Sequence, residues 1–409
     1  MAEEQTFVIV GASLAGAKAA ETLRAEGFDG RVVLIGEETE RPYERPLLSK
    51  EYLLGKKPVA KLYVHDESYY ADHNIELMTG TRVESLDPGD HTVTLDEGRI
   101  LPYSRLLLAT GAAPRRLALP GADLPGVRYL REMGDSDALR DAITAADRVI
   151  VIGAGWIGSE VAACARQLGA EVAIVAPEAV PLERVLGPDI GAVYRDLHRE
   201  KGAALHLNTR IEAIVGSDAA QGVRTTNGSV IEGDLIVVGV GVTPRDELAR
   251  DAGLTVENGI VVDELLQTSA PDIFAAGDVA ATWNARYNSR IRMEHWANAL
   301  NQGPAAARNM LAPGGELTAY TKLPYFYSDQ YDLGMEYNGY ATGWDRVVVR
   351  GDTIGREFLA FWLKDGMVLA GMNANIWDQG EAIKALIRGG AAVDADRLAD
   401  RSVPLSELA

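Results

Sequence analysis

The chain has 409 residues, enough for two or three domains, and an apolar content of 47% allows each domain its own hydrophobic core. The net charge of −19 repels phosphate backbones, so nucleic acid is not an expected partner. Cys164 is the sole cysteine of the sequence, which excludes an intramolecular disulfide and any site that needs a cysteine pair. No apolar run approaches the roughly 18 residues of a spanning helix, and the acidic residues 1–5 lack a signal-peptide pattern, so we expect a cytoplasmic protein without a membrane partner.

The first predicted element is a strand–turn–helix unit near the start of the chain. An apolar strand over residues 7–10 leads into the turn Gly11-Ala12-Ser13-Leu14-Ala15-Gly16, and small residues continue at helical length to Glu26. A helix that begins abruptly after a strand directs its free N–H groups and the positive end of its dipole at one point, which suits a pyrophosphate. Gly11 permits the tight turn and Gly16 lets the helix lie close to the strand, while Ser13 stands at the middle glycine position. The pattern predicts a dinucleotide site, with a purely structural turn as the alternative.

An acid and a basic loop follow the second predicted strand. Residues 31–36 form this strand, and Glu37 stands at its end, 26 positions after Gly11. An acid about 20 residues after the glycines binds a ribose hydroxyl in dinucleotide-binding folds. The next loop contains two prolines and the cations Arg45 and Lys50. A basic loop in an acidic protein suggests an anionic group nearby, and a solvated loop is the alternative.

The chain then returns to the sheet and leaves the first domain. Strand-like segments over residues 76–86 and 91–95 precede an apolar strand that ends in Thr110-Gly111, where we expect the backbone to approach a ligand closely. Residues 113–125 are rich in Pro, Gly and Arg, which indicates a crossing into another domain.

The opening pattern recurs 142 positions further along. A strand over residues 148–152 leads into Gly153-Ala154-Gly155-Trp156-Ile157-Gly158, which has all three glycines, and a helix and another strand follow. This duplication predicts two dinucleotides in one chain. Ala176 replaces the acid expected after the second strand, although Glu178 is close by, so NAD(H) is favoured, while Arg184 keeps NADP(H) open.

Glycines and an acid mark the return to the first domain. Gly241 indicates another close backbone approach. A short apolar strand over residues 272–276 ends in Gly277-Asp278, which places a carboxylate at the carboxyl end of a strand, where ligands bind in open α/β sheets. A helix N-cap is the alternative role for Asp278. A further helix begins near Trp296 and runs to about residue 311.

The last segment predicts a small domain with its own sheet. Aromatic residues from Tyr320 lead into short strands, and Asp365-Gly366 is typical of a type I′ hairpin turn. We expect Asp378 to cap a helix that Gly389-Gly390 ends.

These elements predict an α/β fold with two Rossmann-like dinucleotide-binding domains, of the glutathione-reductase-like arrangement, and a small C-terminal α+β domain. The first dinucleotide-binding domain is discontinuous and comprises residues 1–112 and 242–318. The second comprises residues 113–241, and the C-terminal domain residues 319–409.

Six segments, in this order, resemble a known family. They are Gly-Ala-Ser-Leu-Ala-Gly, Arg-Pro-Tyr-Glu-Arg-Pro-Leu-Leu-Ser-Lys, Ala-Thr-Gly, Gly-Ala-Gly-Trp-Ile-Gly-Ser-Glu, Ala-Ala-Gly-Asp and Tyr-Ser-Asp-Gln-Tyr. Together they are similar to the FAD-dependent ferredoxin reductases of oxygenase systems, the putidaredoxin-reductase type, whose wider relatives include rubredoxin reductases and apoptosis-inducing factor. The resemblance covers essentially the whole chain.

The resemblance implies FAD in the first unit and NAD(H), with NADP(H) still open, in the second. Lys50 is the candidate for tuning the flavin, because a nearby cation favours an anionic reduced ring, and Glu160 would position the nicotinamide amide unless it is a plain helix carboxylate. Tyr327 stands where relatives carry a tryptophan. The candidate cofactor-binding residues are Gly11, Ser13, Leu14, Ala15, Gly16, Glu37, Arg45, Lys50, Val83, Thr110, Gly111, Arg131, Gly277, Asp278, Trp296, Gly153, Gly155, Trp156, Ile157, Gly158, Glu160 and Gly241.

The resemblance further implies a ferredoxin–NAD(+) reductase, a monomer or homodimer, that passes electrons from NAD(P)H through FAD to a ferredoxin of the [2Fe-2S] or a similar type. That ferredoxin would supply a cytochrome P450 or a ring-hydroxylating oxygenase. Cys164 is expected to be a core residue, so the electrons would leave without a sulfur relay. The alternatives are another acceptor, such as rubredoxin, a quinone or oxygen, and a redox-switched binding protein of the apoptosis-inducing-factor type.

Ferredoxins are usually acidic, so docking on this acidic protein needs a local basic patch. We expect that patch to consist of Arg286, Arg290, Arg292, Lys56, Lys57 and Lys322.

Overall fold

The structure is a computed structural model that describes residues 5–312 and 317–408. The first four residues of the acidic start noted above lie outside the described part. Two compact units divide the chain. The first consists of Met1–Glu44, Val59–Ala113 and Thr243–Pro324, and the second of Arg45–Pro58, Pro114–Val242 and Tyr325–Ala409.

The strands are short and numerous. In chain order they are β1 (Thr6–Val10), β2 (Arg31–Ile35), β3 (Ile75–Met78), β4 (Val83–Asp87), β5 (Thr92–Leu95), β6 (Ile100–Pro102), β7 (Arg105–Leu108), β8 (Ala112–Pro114), β9 (Val127–Arg128), β10 (Arg148–Ile152), β11 (Glu171–Val175), β12 (Ala204–His206), β13 (Ile211–Val215), β14 (Gly222–Thr225), β15 (Val230–Glu232), β16 (Leu235–Val238), β17 (Val242–Pro244), β18 (Val256–Glu257), β19 (Gly259–Val262), β20 (Ile273–Ala275), β21 (Ala280–Asn284), β22 (Ser289–Arg292), β23 (Tyr325–Gln330), β24 (Leu333–Gly339), β25 (Arg346–Asp352), β26 (Glu357–Lys364) and β27 (Met367–Ala374).

The α-helices are α1 (Leu14–Ala25), α2 (Tyr69–Asp72), α3 (Met133–Ala145), α4 (Trp156–Gln167), α5 (Glu183–Glu200), α6 (Glu247–Asp251), α7 (Trp296–Leu311), α8 (Gly380–Gly389) and α9 (Ala395–Ala399). Short 3-10 turns occupy Arg45–Ser49, Val59–Lys61, Asp96–Gly98, Gly277–Val279 and Leu405–Glu407.

The first unit is built on a five-stranded parallel sheet of order β20-β7-β1-β2-β3. Val8 of the central strand β1 lies opposite Val33 on one side and Leu106 on the other. β1, β2 and β7 are buried along almost their whole length, as expected of parallel strands with helices on both faces. Two smaller sheets, β4-β5-β6 and β18-β19-β21-β22, complete the unit.

The second unit repeats the parallel sheet, in the order β12-β11-β10-β16-β9. β10 holds the position of β1, and α4 follows it as α1 follows β1. The predicted α/β class with two Rossmann-like cores is confirmed. A three-stranded sheet, β13-β14-β15, belongs to the same unit.

The C-terminal segment forms the antiparallel sheet β23-β24-β27-β26-β25, also in the second unit. Helix α5 packs on it through a shared core in which Tyr194 and Leu197 meet Phe326 and Trp362. The indole of Trp362 donates to the Leu186 carbonyl at 3.2 Å. The predicted division into three domains stays a prediction, because the two compact units do not separate residues 113–241 from 319–409.

The predicted hairpin is confirmed and the predicted cap is wrong. Asp365 and Gly366 have φ of 51° and 79°, the two positive values that a type I′ turn requires. Asp378 does not cap α8. It has a φ of 65°, and Gln379 is the N-cap residue, so the helix begins two residues after the predicted cap.

Candidate functional site

The turn after β1 brings helix and strand together in the first unit. Gly11 has a φ of 121°, and a Cβ there would lie 2.0 Å from the Ala109 carbonyl oxygen. A Cβ on Gly16 would lie 2.0 Å from the carbonyl oxygen of Gly11. Both positions therefore require glycine, as the motif predicted. Ser13 is the N-cap residue of α1, and Leu14 and Ala15 are buried in its first turn.

The turn after β10 has the same construction in the second unit. Gly153 has a φ of 101°, and a Cβ on Gly158 would lie 2.1 Å from the Gly153 carbonyl oxygen. Gly155, the N-cap residue of α4, differs because no atom of the described residues comes within 4 Å of where its Cβ would be. Trp156 and Ile157 open the helix, and Ile157 is exposed.

These helix starts fit a bound pyrophosphate. No side chain of the described residues caps α1 or α4. The first N–H groups of a helix have no partner within the helix, so an anion at the turn would satisfy them. The open space at Gly155 is where the motif requires the backbone to approach the phosphates.

Glu37, the predicted ribose acid, lies in an ionic cluster of the first unit. Arg245 lies 2.9 Å and Arg82 3.2 Å from its two carboxylate oxygens. The Thr110 hydroxyl donates to the Arg245 carbonyl at 2.6 Å, and the Arg245 N–H donates to the Gly111 carbonyl. Arg245 thus connects the predicted residues Glu37, Thr110 and Gly111. Sequence reasoning missed Arg245 because no motif includes it.

The other predicted residues of the first unit lie at element ends. Val83 opens β4, and Trp296 opens α7. Gly277 and Asp278 form the turn after β20, where the Gly277 N–H donates to the Gln302 amide oxygen at 2.9 Å. Their contacts with a cofactor stay predictions.

The candidate catalytic residues Lys50 and Glu160 form a buried ion pair in the second unit. Lys50 Nζ lies 2.8 Å from Glu160 Oε2, and the two side chains are 7% and 3% exposed. The Ser49 hydroxyl donates to the same oxygen at 2.5 Å, and the Ser328 hydroxyl donates to Glu160 Oε1 at 2.6 Å. Two hydroxyl donors and one ammonium charge thus compensate a carboxylate whose burial would otherwise be costly.

Sequence reasoning missed the two serines. Ser49 directly precedes Lys50, and Ser328 lies in the quoted Tyr-Ser-Asp-Gln-Tyr segment. One signal was available for Ser328, since the alternation of β23 places it on the buried side with Phe326 and Gln330.

Further predicted residues lie in the second unit. Arg45 donates to the Arg131 carbonyl at 2.7 Å, and Gly241 has a φ of 97°. Lys50 Nζ lies 5.4 Å from the centre of the Tyr327 ring, within reach of a cation–π interaction.

Cys164 is a buried thiol, so the prediction of a core residue is confirmed. Its Sγ donates to the Ser49 carbonyl, 3.2 Å away, and burial raises the pKa of the thiol to about 12. Such a thiol is inert near neutral pH, since only the thiolate is an effective nucleophile.

The predicted basic patch is wrong at Arg292 and stays a prediction at its other positions, although Arg290 also has partners in the first unit. The Arg290 guanidinium donates to the Val262 and Ala281 carbonyls at 2.6 and 3.1 Å. Arg292 is only 8% exposed and pairs with Glu294 at 2.6 Å. Both side chains serve the unit's own packing, which composition alone did not reveal.

Two negative findings concern the described residues. Within them, no group of three or more His, Cys, Asp or Glu side chains is placed to hold a metal ion. Residues 5–312 and 317–408 also contain no helix with the length and hydropathy that crossing a bilayer requires.

Two parallel sheets, each with an uncapped helix start at a glycine turn, are typical of oxidoreductases that bind two dinucleotides. Comparison with known proteins specifies the family. Residues 5–303 match the family described as pyridine nucleotide-disulphide oxidoreductase, and residues 325–409 match the reductase C-terminal domain. The chain belongs to this family, within its ferredoxin-reductase branch, which confirms the resemblance noted in the sequence.

Two relatives are similar over nearly their whole length. The ferredoxin–NAD(+) reductase component of the anthranilate 1,2-dioxygenase system of Burkholderia cepacia is 40% identical, over 98% of this chain and 98% of that protein. Putidaredoxin reductase of Pseudomonas putida is 37% identical, over 100% of this chain and 97% of that protein. The crystal structure of a covalent putidaredoxin reductase–putidaredoxin complex matches with a TM-score of 0.94 and 37% identity, over 99% of this chain and 98% of that chain.

Proposed function

We propose that this protein is an FAD-dependent ferredoxin reductase that takes electrons from NADH and delivers them to a ferredoxin of an oxygenase system. The observation that carries the proposal is the pair of uncapped glycine-turn helices, α1 and α4, the second of which carries Glu160 of the buried Lys50–Glu160 pair. A [2Fe-2S] ferredoxin, a cytochrome P450 or ring-hydroxylating oxygenase downstream, a cytoplasmic location and a monomeric or dimeric state belong to the same proposal.

The two turns divide the cofactors between them. The first would hold the FAD pyrophosphate at the N-terminus of α1, with Glu37 on the adenosine ribose. The second would hold NADH at the N-terminus of α4, against Gly155. FAD bound there would supply the capacity to take up a hydride from NADH and to give up the two electrons one at a time. The remaining proposed FAD residues, among them Arg45, Val83, Arg131, Asp278 and Trp296, would bind and orient that group.

Lys50 and Glu160 act on the reacting end of the nucleotides in this proposal. Glu160 would accept a hydrogen bond from the carboxamide of nicotinamide and fix the orientation of the ring. Lys50 would supply positive charge close to the flavin and keep the Glu160 carboxylate in place through their 2.8 Å contact. Orientation of this kind raises the rate because the reactants are bound close to the geometry of reaction.

The end of β11 favours NADH over NADPH. Ala176 follows the strand, so the site lacks an acid at that position, but Glu178 is only 20% exposed and pairs with Arg184 at 2.8 Å. An acid at this edge suits a ribose diol and repels a 2′-phosphate. Because Arg184 is engaged by Glu178, the cation that would suit NADPH is partly neutralised.

The experiment is an anaerobic titration followed by an assay with two acceptors. NADH should bleach the yellow protein at a lower concentration than NADPH does. Reduction of cytochrome c by NADH should be stimulated many-fold when a [2Fe-2S] ferredoxin is added. A colourless protein that FAD does not reconstitute would contradict the proposal. Rapid bleaching without stimulation would favour another acceptor, and very slow bleaching would favour the redox-switched binding protein.

A further inference from the structure

A chain of buried polar side chains leads away from Glu160 within the second unit. Gln330 Nε2 donates to Ser328 Oγ at 3.5 Å, and Ser328 donates in turn to Glu160 Oε1. Gln330 Oε1 lies 3.0 Å from His198 Nε2, and the Tyr331 hydroxyl lies 3.3 Å from His198 Nδ1. Ser328, Gln330 and His198 are at most 2% exposed. Three elements contribute, since His198 lies on α5 and Glu160 on α4, while Ser328 and Gln330 lie on β23.

The chemistry of these groups gives the chain one direction. A carboxylate only accepts hydrogen bonds, so the Ser328 hydroxyl must use its proton on Glu160. Ser328 Oγ then accepts from the Gln330 amide, whose oxygen is left to accept from the Nε2–H of His198. Burial lowers the pKa of His198 to about 4, so near neutral pH the ring is uncharged and its Nδ1 accepts from Tyr331. Every donor therefore points towards Glu160.

The acceptor positions of Glu160 show why Ser328, rather than Ser49 or Lys50, orients the oxygen that is left for a ligand. A carboxylate has about four acceptor positions, two on each oxygen. The Ser49 hydroxyl donates to Oε2, and the Lys50 ammonium lies against the same oxygen as an ion pair. Ser328 occupies one position on Oε1, so the hydrogen bonds with described residues leave a second position on the oxygen that Ser328 orients.

We propose that Ser328 is a positioning residue that directs the remaining acceptor of Glu160 at the carboxamide N–H of nicotinamide, and that Gln330 and His198 fix the Ser328 hydroxyl for this task. The proposal rests on the function proposed above and makes the C-terminal segment a specificity determinant of the NADH site. A carboxamide donates to the held oxygen, whereas an ionised carboxylate at the same ring position has no proton to donate and repels it. Ser328 therefore increases the discrimination between NAD⁺ and nicotinic acid adenine dinucleotide.

The test compares equilibrium affinities for these two nucleotides, which requires no turnover. Calorimetry on the FAD-loaded protein gives the dissociation constant for nicotinic acid adenine dinucleotide divided by that for NAD⁺. Ser328→Ala should lower this ratio by roughly tenfold, because a misdirected carboxylate both loses the bond to the carboxamide and relieves the repulsion of the acid. Ser159→Ala is the matched control. Ser159 is also fully buried, directly precedes Glu160, and its hydroxyl has no hydrogen-bond partner among the described residues. It should keep the parent ratio.

A second variant covers the case in which Ser328→Ala does not fold. Gln330→Met retains Ser328 but removes the amide that orients its hydroxyl, so the ratio should fall in the same direction by a smaller factor. A Ser328→Ala protein with the parent ratio, or with no larger change than Ser159→Ala, overturns the proposal. Failure of the proposed function is distinct, because the parent protein itself would then bind neither nucleotide or would not be bleached by NADH.

Discussion

Glu160 is the residue on which the site's electrostatics depend. It is almost completely buried, accepts hydrogen bonds from the Ser49 and Ser328 hydroxyls, and forms an ion pair with the ammonium of Lys50. A buried ion pair of this kind is weak evidence for stability, but removal of one partner typically costs about 3–5 kcal/mol because the other charge is left in a poor solvent. The sequence motifs predicted both residues separately. They did not predict the pairing, because the two residues are 110 positions apart and meet only through tertiary packing.

Substitution of Lys50 by Met should separate the chemical from the structural role of this pair. Lys50→Met should slow the reduction of the flavin by NADH, measured by stopped flow, by tenfold or more, because a charge contact is lost. It should also lower the free energy of unfolding by about 3 kcal/mol, because Glu160 is left buried without its counter-ion. Adding Glu160→Gln should restore most of that stability, since a neutral amide is less costly to bury than an unpaired carboxylate. Reduction should stay slow in the double variant. Unchanged reduction in Lys50→Met would remove Lys50 from the mechanism.

The strand–turn–helix element was predictable because its constraints are local. Backbone contacts within a few residues require Gly16 and Gly158, and both helices begin where the glycine pattern placed them. The cap of α8 was not predictable from residue type, because aspartate is equally suited to a cap and to the left-handed conformation that Asp378 adopts. Ser328 was missed for a related reason, since its role depends on a helix that lies far away in the sequence.

Two neighbouring glycines of the second turn should respond differently to alanine. Gly158→Ala places a Cβ 2.1 Å from the Gly153 oxygen, so α4 must move away from β10 and stability should fall by about 2 kcal/mol or more. Gly155→Ala meets no described atom within 4 Å and keeps an ordinary negative φ, so the fold should tolerate it. Its methyl group would instead occupy space that the pyrophosphate needs. Thermal unfolding and NADH titration measure the two effects. Equal effects of both variants on NADH affinity and stability would contradict this assignment.

At the scale of the whole molecule, the acidic charge is not offset in the way the sequence suggested. The net charge is −19, and two of the six cations expected to attract an acidic ferredoxin, Arg290 and Arg292, are engaged by groups of their own unit. The fold class was predictable from the duplicated pattern, because each parallel sheet follows from its own strand and helix periodicity. The hydrogen-bond and ion-pair partners of Arg290 and Arg292 were not predictable, because they depend on the carbonyls and acids that folding brings close to each side chain.

The salt dependence of electron delivery to an acidic ferredoxin should therefore have the sign set by the net charge of the chain rather than by a local basic patch. With an acidic ferredoxin as acceptor, the second-order rate constant of electron delivery should rise as ionic strength increases from about 0.01 M towards 0.15 M, because the Debye length shortens from about 30 to 8 Å and screens the repulsion. Basic cytochrome c, reduced directly by the same protein, is the control and should show the opposite slope. Stopped-flow measurement at several salt concentrations gives both slopes. If the rate constant with the acidic ferredoxin falls as salt is added, a positive surface at the docking site outweighs the charge of the whole chain. Charge-reversal variants at Lys56 and Lys57 would then be the next to compare.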